Sequence, residues 1–217
     1  MTTPRDLLIA AMDMASSRPL GQGDLSLALA GAELIDLLSA QAISLDGDRI
    51  VPGYRPAIAD HLLDEAASSL VQHMPYESVD DWLWRRGRGL STAYLAALEA
   101  EGQLVRQRRR GWMPFRAGEL VPAETPARRE AANRWLADEP VLAALAVAIG
   151  IRDEQTGDDG AGVTDDVGAT DDAGVTDDAV ATVLAVLNDA LSRLAFERQR
   201  RAIDEEAFSN IWRGSGD

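Results

Sequence analysis

The residues best suited to chemistry lie in one arginine-rich stretch. Residues 103–119 read Gln-Leu-Val-Arg-Gln-Arg-Arg-Arg-Gly-Trp-Met-Pro-Phe-Arg-Ala-Gly-Glu. The centre of this run is apolar and aromatic, with Arg108, Arg109 and Arg110 before it and Arg116 after it. Glycine and proline beside Trp112, Met113 and Phe115 predict a turn, and turns lie at the surface. Aromatic groups on a turn flanked by arginines suit a boundary between water and lipid: rings sit at head-group depth while guanidinium groups pair with phosphates. Each base close to an anionic leaflet contributes about 1 kcal/mol, and burying one large apolar side chain adds about 1.5–3 kcal/mol. The plain alternative for these three side chains is packing onto a helical core. A second basic run, Arg85-Arg86-Gly87-Arg88, precedes a helix expected from Leu90. Arginine forks together with the N–H groups of a helix start make a phosphate site. The alternative there is a solvated charge run ending the preceding helix, where cations are favoured.

The overall charge hides this local excess. The chain of 217 residues carries a formal net charge of −15, which taken alone argues against acidic partners. Residues 153–178 hold ten acids and no base, whereas residues 85–116 hold eight arginines against Glu99 and Glu101. Fields are screened within about 8 Å at physiological salt, so the local balance decides what a partner feels. All bases are arginine and there is no cysteine, which excludes disulfides and thiolate metal sites. His61 and His73 are the only histidines. Asp64 could join His61 on one helical face, but a metal needs three or four ligands, and no metal or cofactor is expected. No phosphate-cradling glycine loop, nucleophile elbow or paired-carboxylate pattern is present, so no catalytic residue is assigned and an enzyme is not expected.

The elements that position these residues follow from periodicity and caps. Thr3-Pro4-Arg5-Asp6 is a helix start, and the first helix runs to a stop near Pro19. Further helices are expected at Asp24 to Gln41, Pro56 to Gln72, Val79 to Arg86, Leu90 to Glu101, Ala127 to Leu136, Val141 to Ile149, Ala179 to Gln199 and Ile203 to Ile211. Asp46-Gly47 between two β-prone runs signals one hairpin, and Gln103 to Val121 a second. The expected fold class is all-α with two small β-hairpins, one domain over 1–217. A tandem hexapeptide, Val163-Thr-Asp-Asp-Val-Gly168 and its two successors, interrupts it. A calcium loop needs ligands at alternating positions and a closing acid. These paired aspartates read instead as a disordered acidic loop at about 153–178. The N-terminus carries an acid where a signal peptide needs base. The longest uncharged stretch, Pro140 to Ile151, has 12 residues, against about 20 for a spanning helix. The expected location is therefore cytoplasmic, with peripheral contact on the inner face of a membrane.

Residues 20–47 resemble the Golgi phosphoprotein 3 family, in which a helix of the type Leu-x-Gly-x-x-Leu-x-Glu-Leu leads into a hairpin. Leu29, Gly31, Leu34 and Leu37 fit this pattern, with Asp36 in place of Glu. The resemblance continues from Arg88 to the frame of Leu98, Glu101, Gly102 and Leu104, then into the apolar-tipped hairpin and loosely to the C-terminal helices. It covers most of the chain outside 153–178, and the all-arginine, alanine-rich composition suggests a prokaryotic-type member. It implies a compact helical domain, peripheral on Golgi membranes in eukaryotes, that binds phosphatidylinositol 4-phosphate and inserts a hairpin tip. Some members carry glycosyltransferase cargo. On this resemblance Arg88 is a phosphate-binding arginine, with Arg85, Arg86, Arg108, Arg109 and Arg110 as further candidates, and Trp112, Met113 and Phe115 form the inserting tip. Two other family arginines fall on Ser91 and Ala30, and the family's lipid-binding tryptophan has no counterpart among Asp24 to Ala28.

The expected partners are an anionic, phosphoinositide-like phospholipid and the membrane surface, with a homo-oligomer possible. No nucleic acid is expected. A winged-helix DNA-binding regulator is the alternative, with residues 103–117 as the wing. Its tip would have to be basic and polar, and Trp-Met-Pro-Phe is neither. The recognition helix, Leu90 to Glu101, would carry two glutamates and no arginine toward phosphates.

Overall fold

The computed structural model describes residues 2–14, 20–107, 119–152 and 171–214. Among them the chain forms eight α-helices and two two-stranded antiparallel sheets, the mainly helical class with small hairpins that the sequence predicts. In chain order these are α1 (Thr3–Met14), α2 (Gln22–Ser39), β1 (Ile43–Asp46), β2 (Arg49–Pro52), α3 (His61–Ser68), α4 (Val79–Arg86), α5 (Leu90–Ala100), β3 (Leu104–Gln107), β4 (Glu119–Pro122), α6 (Pro126–Leu136), α7 (Pro140–Ala148) and α8 (Asp171–Gly214).

Helix α2 is apolar on every side, and such a helix is stable only when surrounded. From Leu25 to Leu38 it is buried except at Asp36, and α1, α4, α5 and α8 pack around it. Helix α8 contributes Val183, Leu187 and Ala190, each fully buried. Over Asp178–Asp204, α8 is long and apolar enough by length and composition to cross a membrane. In this fold α8 packs against α2, α4 and α7, which bury 28% of that apolar window. Among the described residues no other helix meets the same test.

Local sequence sets most boundaries. Asp60, Ser78 and Thr125 each accept a hydrogen bond from the backbone N–H three residues on, capping α3, α4 and α6. The Asp60 cap makes α3 shorter than the expected helix over 56–72, and residues 53–58 carry no regular structure. Helix α8 departs further. It is one continuous helix where the sequence predicts two, because Gln199-Arg200-Arg201-Ala202 contains no helix breaker. It also starts at Asp171, inside the acidic repeat, where aspartates complement the positive end of a helix. Residues 153–170 of the expected acidic loop lie outside the described residues. In the hairpins, Ile43 faces Pro52 and Asp46 faces Arg49, and Leu104 faces Pro122 and Gln107 faces Glu119.

Candidate anion-binding site

The three arginines of the 85–88 run go to different places, and the helix period explains why. Val79, Trp82 and Leu83 are the buried face of α4, and position 86 falls on that same face at the next turn. Arg86 is therefore drawn inward, its side chain 10% exposed, and needs a buried acid. Glu33, wholly buried in the middle of α2, supplies it through two bonds at 2.8 and 3.0 Å. Glu65 accepts a third at 2.7 Å and the Leu62 carbonyl a fourth at 3.0 Å. The Tyr94 hydroxyl donates to Glu33 at 3.0 Å. Burial works against the charge on Arg86, but the hydrogen bonds and attraction of Glu33 and Glu65 outweigh it and hold the guanidinium above its usual value. Burial pushes the Glu33 carboxyl upward, opposed by Arg86 and Tyr94. Arg85 forks onto Glu77 at 2.6 and 2.7 Å and lies 5.0 Å from the centre of the Trp82 ring.

Arg88 differs from both. It is exposed, and its guanidinium makes no ion pair or hydrogen bond with any described residue. The chain around it is held by glycines. At Gly87 a Cβ would lie 2.5 Å from the Leu83 carbonyl oxygen of α4 itself and 3.2 Å from the Leu27 side chain of α2, so a larger residue would force the end of α4 to shift. Gly89 takes φ +71°, the left-handed conformation, and turns the chain into α5. Arg88 is thus presented at the start of α5, whose first turn has neither an acid nor a side-chain cap.

A hollow of about 310 Å³ opens at this point, lined by Gln22, Gly23, Ser26, Leu27, Trp84, Gly87, Arg88, Gly89, Thr92 and Leu194. Two helix starts, those of α2 and α5, border it. They are tied together beneath the hollow: Ser26 donates to Ser91 at 2.8 Å, its oxygen accepts from the Ser91 N–H at 3.2 Å, and Gln22 donates to Thr92 at 3.0 Å. Ser91, where the resemblance places a second family arginine, is a fully buried link in this tie. The acid nearest the start of α2, Asp24, is paired with Arg198 at 2.6 and 2.7 Å. An anion entering the hollow meets one guanidinium that is unpaired among the described residues, two helix starts and a tryptophan wall.

Gln22, Thr92 and Trp84 carry no signal in the sequence that would single them out, since the fold alone brings them beside Arg88. Arg108, Arg109, Arg110, Trp112, Met113 and Phe115 lie outside the described residues, between the ends of β3 and β4. Among the described residues no group of three metal-ligating side chains forms. His61 is exposed, and Asp64 bonds Arg55 at 3.1 Å instead.

A mainly helical body wrapped around one apolar helix, with two small hairpins, defines the fold class. The Golgi phosphoprotein 3 (GPP34) family model matches residues 4–184. The chain belongs to that family. A search among curated proteins found no match.

Proposed function

We propose that this chain is a peripheral membrane protein that binds anionic phospholipid head groups, of the phosphatidylinositol 4-phosphate type, in the hollow beside Arg88. The single observation that carries this reading is Arg88 itself: in a chain whose neighbouring arginines are engaged by carboxylates, it faces a concave site between two helix starts with no counter-ion among the described residues. Family membership supports the same chemistry, and Trp84 supplies from α4 an aromatic wall of the kind missing from residues 24–28. Arg108, Arg109 and Arg110 add long-range attraction to an acidic surface, and Trp112, Met113 and Phe115 insert. The chain acts as a binding module on the cytoplasmic face, not as a catalyst.

Flotation with liposomes tests the reading. Vesicles containing phosphatidylinositol 4-phosphate should carry the wild type upward, and Arg88→Ala should weaken binding by about 1.5–3 kcal/mol, the contribution of a charge-assisted hydrogen bond. Binding by the variant equal to wild type removes Arg88 from the site. Loss of flotation on adding double-stranded DNA would favour the regulator reading instead.

A further inference from the structure

Next to the Arg88 hollow runs a second one of about 490 Å³, lined by Trp84, Ser192, Arg193, Phe196 and Glu197. Its lining is mainly apolar. Phe196 is 65% exposed, an unusual position for a large aromatic side chain. Arg193 lies over the Trp84 ring, 5.7 Å from its centre, and is paired with Asp80 and Asp189. Its charge is thus answered within the protein, and its stem extends the apolar wall. Trp84 lines both hollows, and Leu194 of the first is the chain neighbour of Arg193 in the second. Ser192, Arg193, Phe196 and Glu197 all lie beyond residue 184, where the family match ends.

We infer that this groove holds the hydrocarbon part of the same lipid whose phosphate sits at Arg88, so that the ligand is a whole amphiphile and not a free inositol phosphate. The inference rests on the head-group reading and adds to it the class of molecule the site takes. Two adjoining hollows divide the chemistry between them. One offers a guanidinium unpaired among the described residues, hydroxyls and helix starts; the other offers aromatic and aliphatic surface. Each has the volume of a small-molecule site, and the shared tryptophan makes them neighbours. A phospholipid is the ligand whose phosphate and hydrocarbon adjoin in the same order. The exposed Phe196 ring is wetted at a cost that an acyl chain removes.

The test uses the full chain and two soluble probes: dioctanoyl phosphatidylinositol 4-phosphate below its micelle-forming concentration, and its deacylated glycerophosphoinositol form. The dioctanoyl probe should bind about tenfold or more tightly than the deacylated one, from apolar area removed from water. Phe196→Ser, at an exposed position that leaves the helical circular dichroism signal intact, should abolish that advantage and leave deacylated binding unchanged. Arg88→Ala should weaken both probes. Equal affinity for the two probes, or no effect of Phe196→Ser on the dioctanoyl probe, overturns the groove inference while the head-group reading stands. Unaltered binding of both probes by Arg88→Ala, or binding of neither probe by the wild type, overturns the head-group reading and the groove with it. A fall in solution mass on Phe196→Ser, by size exclusion with light scattering, would assign the groove to a second copy of the chain and overturn the inference.

Discussion

Arg86→Met separates a structural arginine from a ligand-binding one, and its size can be worked out from the partners it leaves. The substitution keeps the stem length and removes the charge. Glu33, fully buried in α2, then loses two of its three hydrogen bonds and keeps only that from Tyr94. Removing one partner of a buried pair costs about 3–5 kcal/mol, because the remaining charge has neither water nor counter-ion. Glu65, half exposed, recovers water and adds little. Against a typical total stability of about 5–15 kcal/mol, the variant is severely weakened at neutral pH. Protonation relieves part of the loss: the Glu33 carboxyl is already raised by burial, and without Arg86 it rises further. The penalty should therefore shrink as pH falls toward 5.

Urea denaturation of wild type, Arg86→Met and the double variant Arg86→Met/Glu33→Leu, followed by circular dichroism at pH 7 and pH 5, measures this. The double variant should regain most of the lost stability at pH 7, since no buried charge is left, less the acceptor of the Tyr94 hydroxyl. Arg88→Ala should be neutral within about 0.5 kcal/mol, as expected of a surface substitution. If Arg86→Met unfolds no more easily than Arg88→Ala and instead weakens vesicle binding, Arg86 is a ligand and the argument from helix period and pairing is refuted.

Gly89→Ala meets no neighbour within 4 Å, so it should cost only the strain of a left-handed alanine, about 1–2 kcal/mol. Gly87→Ala, whose Cβ would lie 2.5 Å from the Leu83 carbonyl oxygen, should cost more and displace Arg88; thermal melts with vesicle binding distinguish the two. Asp36, whose carboxylate accepts from the Thr3 N–H at 2.8 Å, is raised by burial from its ordinary 3.8. A carboxyl held higher in the folded state contributes stability that is present below about pH 4 and lost as pH climbs through the raised value. Asp36→Asn keeps the accepting oxygen and should gain stability on wild type as pH rises from 4 to 7, read from urea midpoints; a constant difference across that range contradicts the assignment. Trp112→Ser with Phe115→Ser should remove the salt-resistant part of liposome binding, about 1.5–3 kcal/mol for each inserted side chain, and leave the arginine-driven part, which salt screens.

Much of the fold is legible in the sequence where a local signal is complete. Ser78 with Asp81 marks the start of α4, Thr125-Pro126 the start of α6, and Asp46-Gly47 the first hairpin. The continuity of α8 is missed because a polar run, Gln199 to Ala202, interrupts the apolar period without breaking the helix. Periodicity reports which side is buried, not where a helix stops, and beyond Leu194 that side faces solvent. Arg88 is legible as a candidate, but the fates of Arg85 and Arg86 are not. Their partners Glu77 and Glu33 stand 8 and 53 residues away, and no pattern in a single sequence pairs an arginine with an acid buried in a distant helix. The aromatic wall is unreadable for the same reason: Trp84 and Leu194 share a hollow only because α4 packs on α8.

The count of arginines overstates the positive field, and this bears on how the protein would hold a membrane. Arg5 is taken by Asp60 and Glu101, Arg86 by Glu33 and Glu65, Arg128 by Asp13 and Glu124, and Arg134 by Asp6 and Glu139. In a chain of net charge −15, folding uses these arginines to neutralise carboxylates that would otherwise repel one another. What remains for a phosphate in the hollow is one guanidinium, worth about 1.5–3 kcal/mol, and the helix starts, worth about 0.3–1 kcal/mol each. Their sum corresponds to dissociation constants around the millimolar range or weaker. On the head-group reading the hollow selects a lipid but cannot anchor the protein by itself. Anchoring then requires a second contact, the apolar tip or the groove beside Trp84. Two weak contacts carried by one chain bind far more tightly than either alone. Disabling either contact should weaken flotation, while the soluble head group should respond to the loss of Arg88 alone.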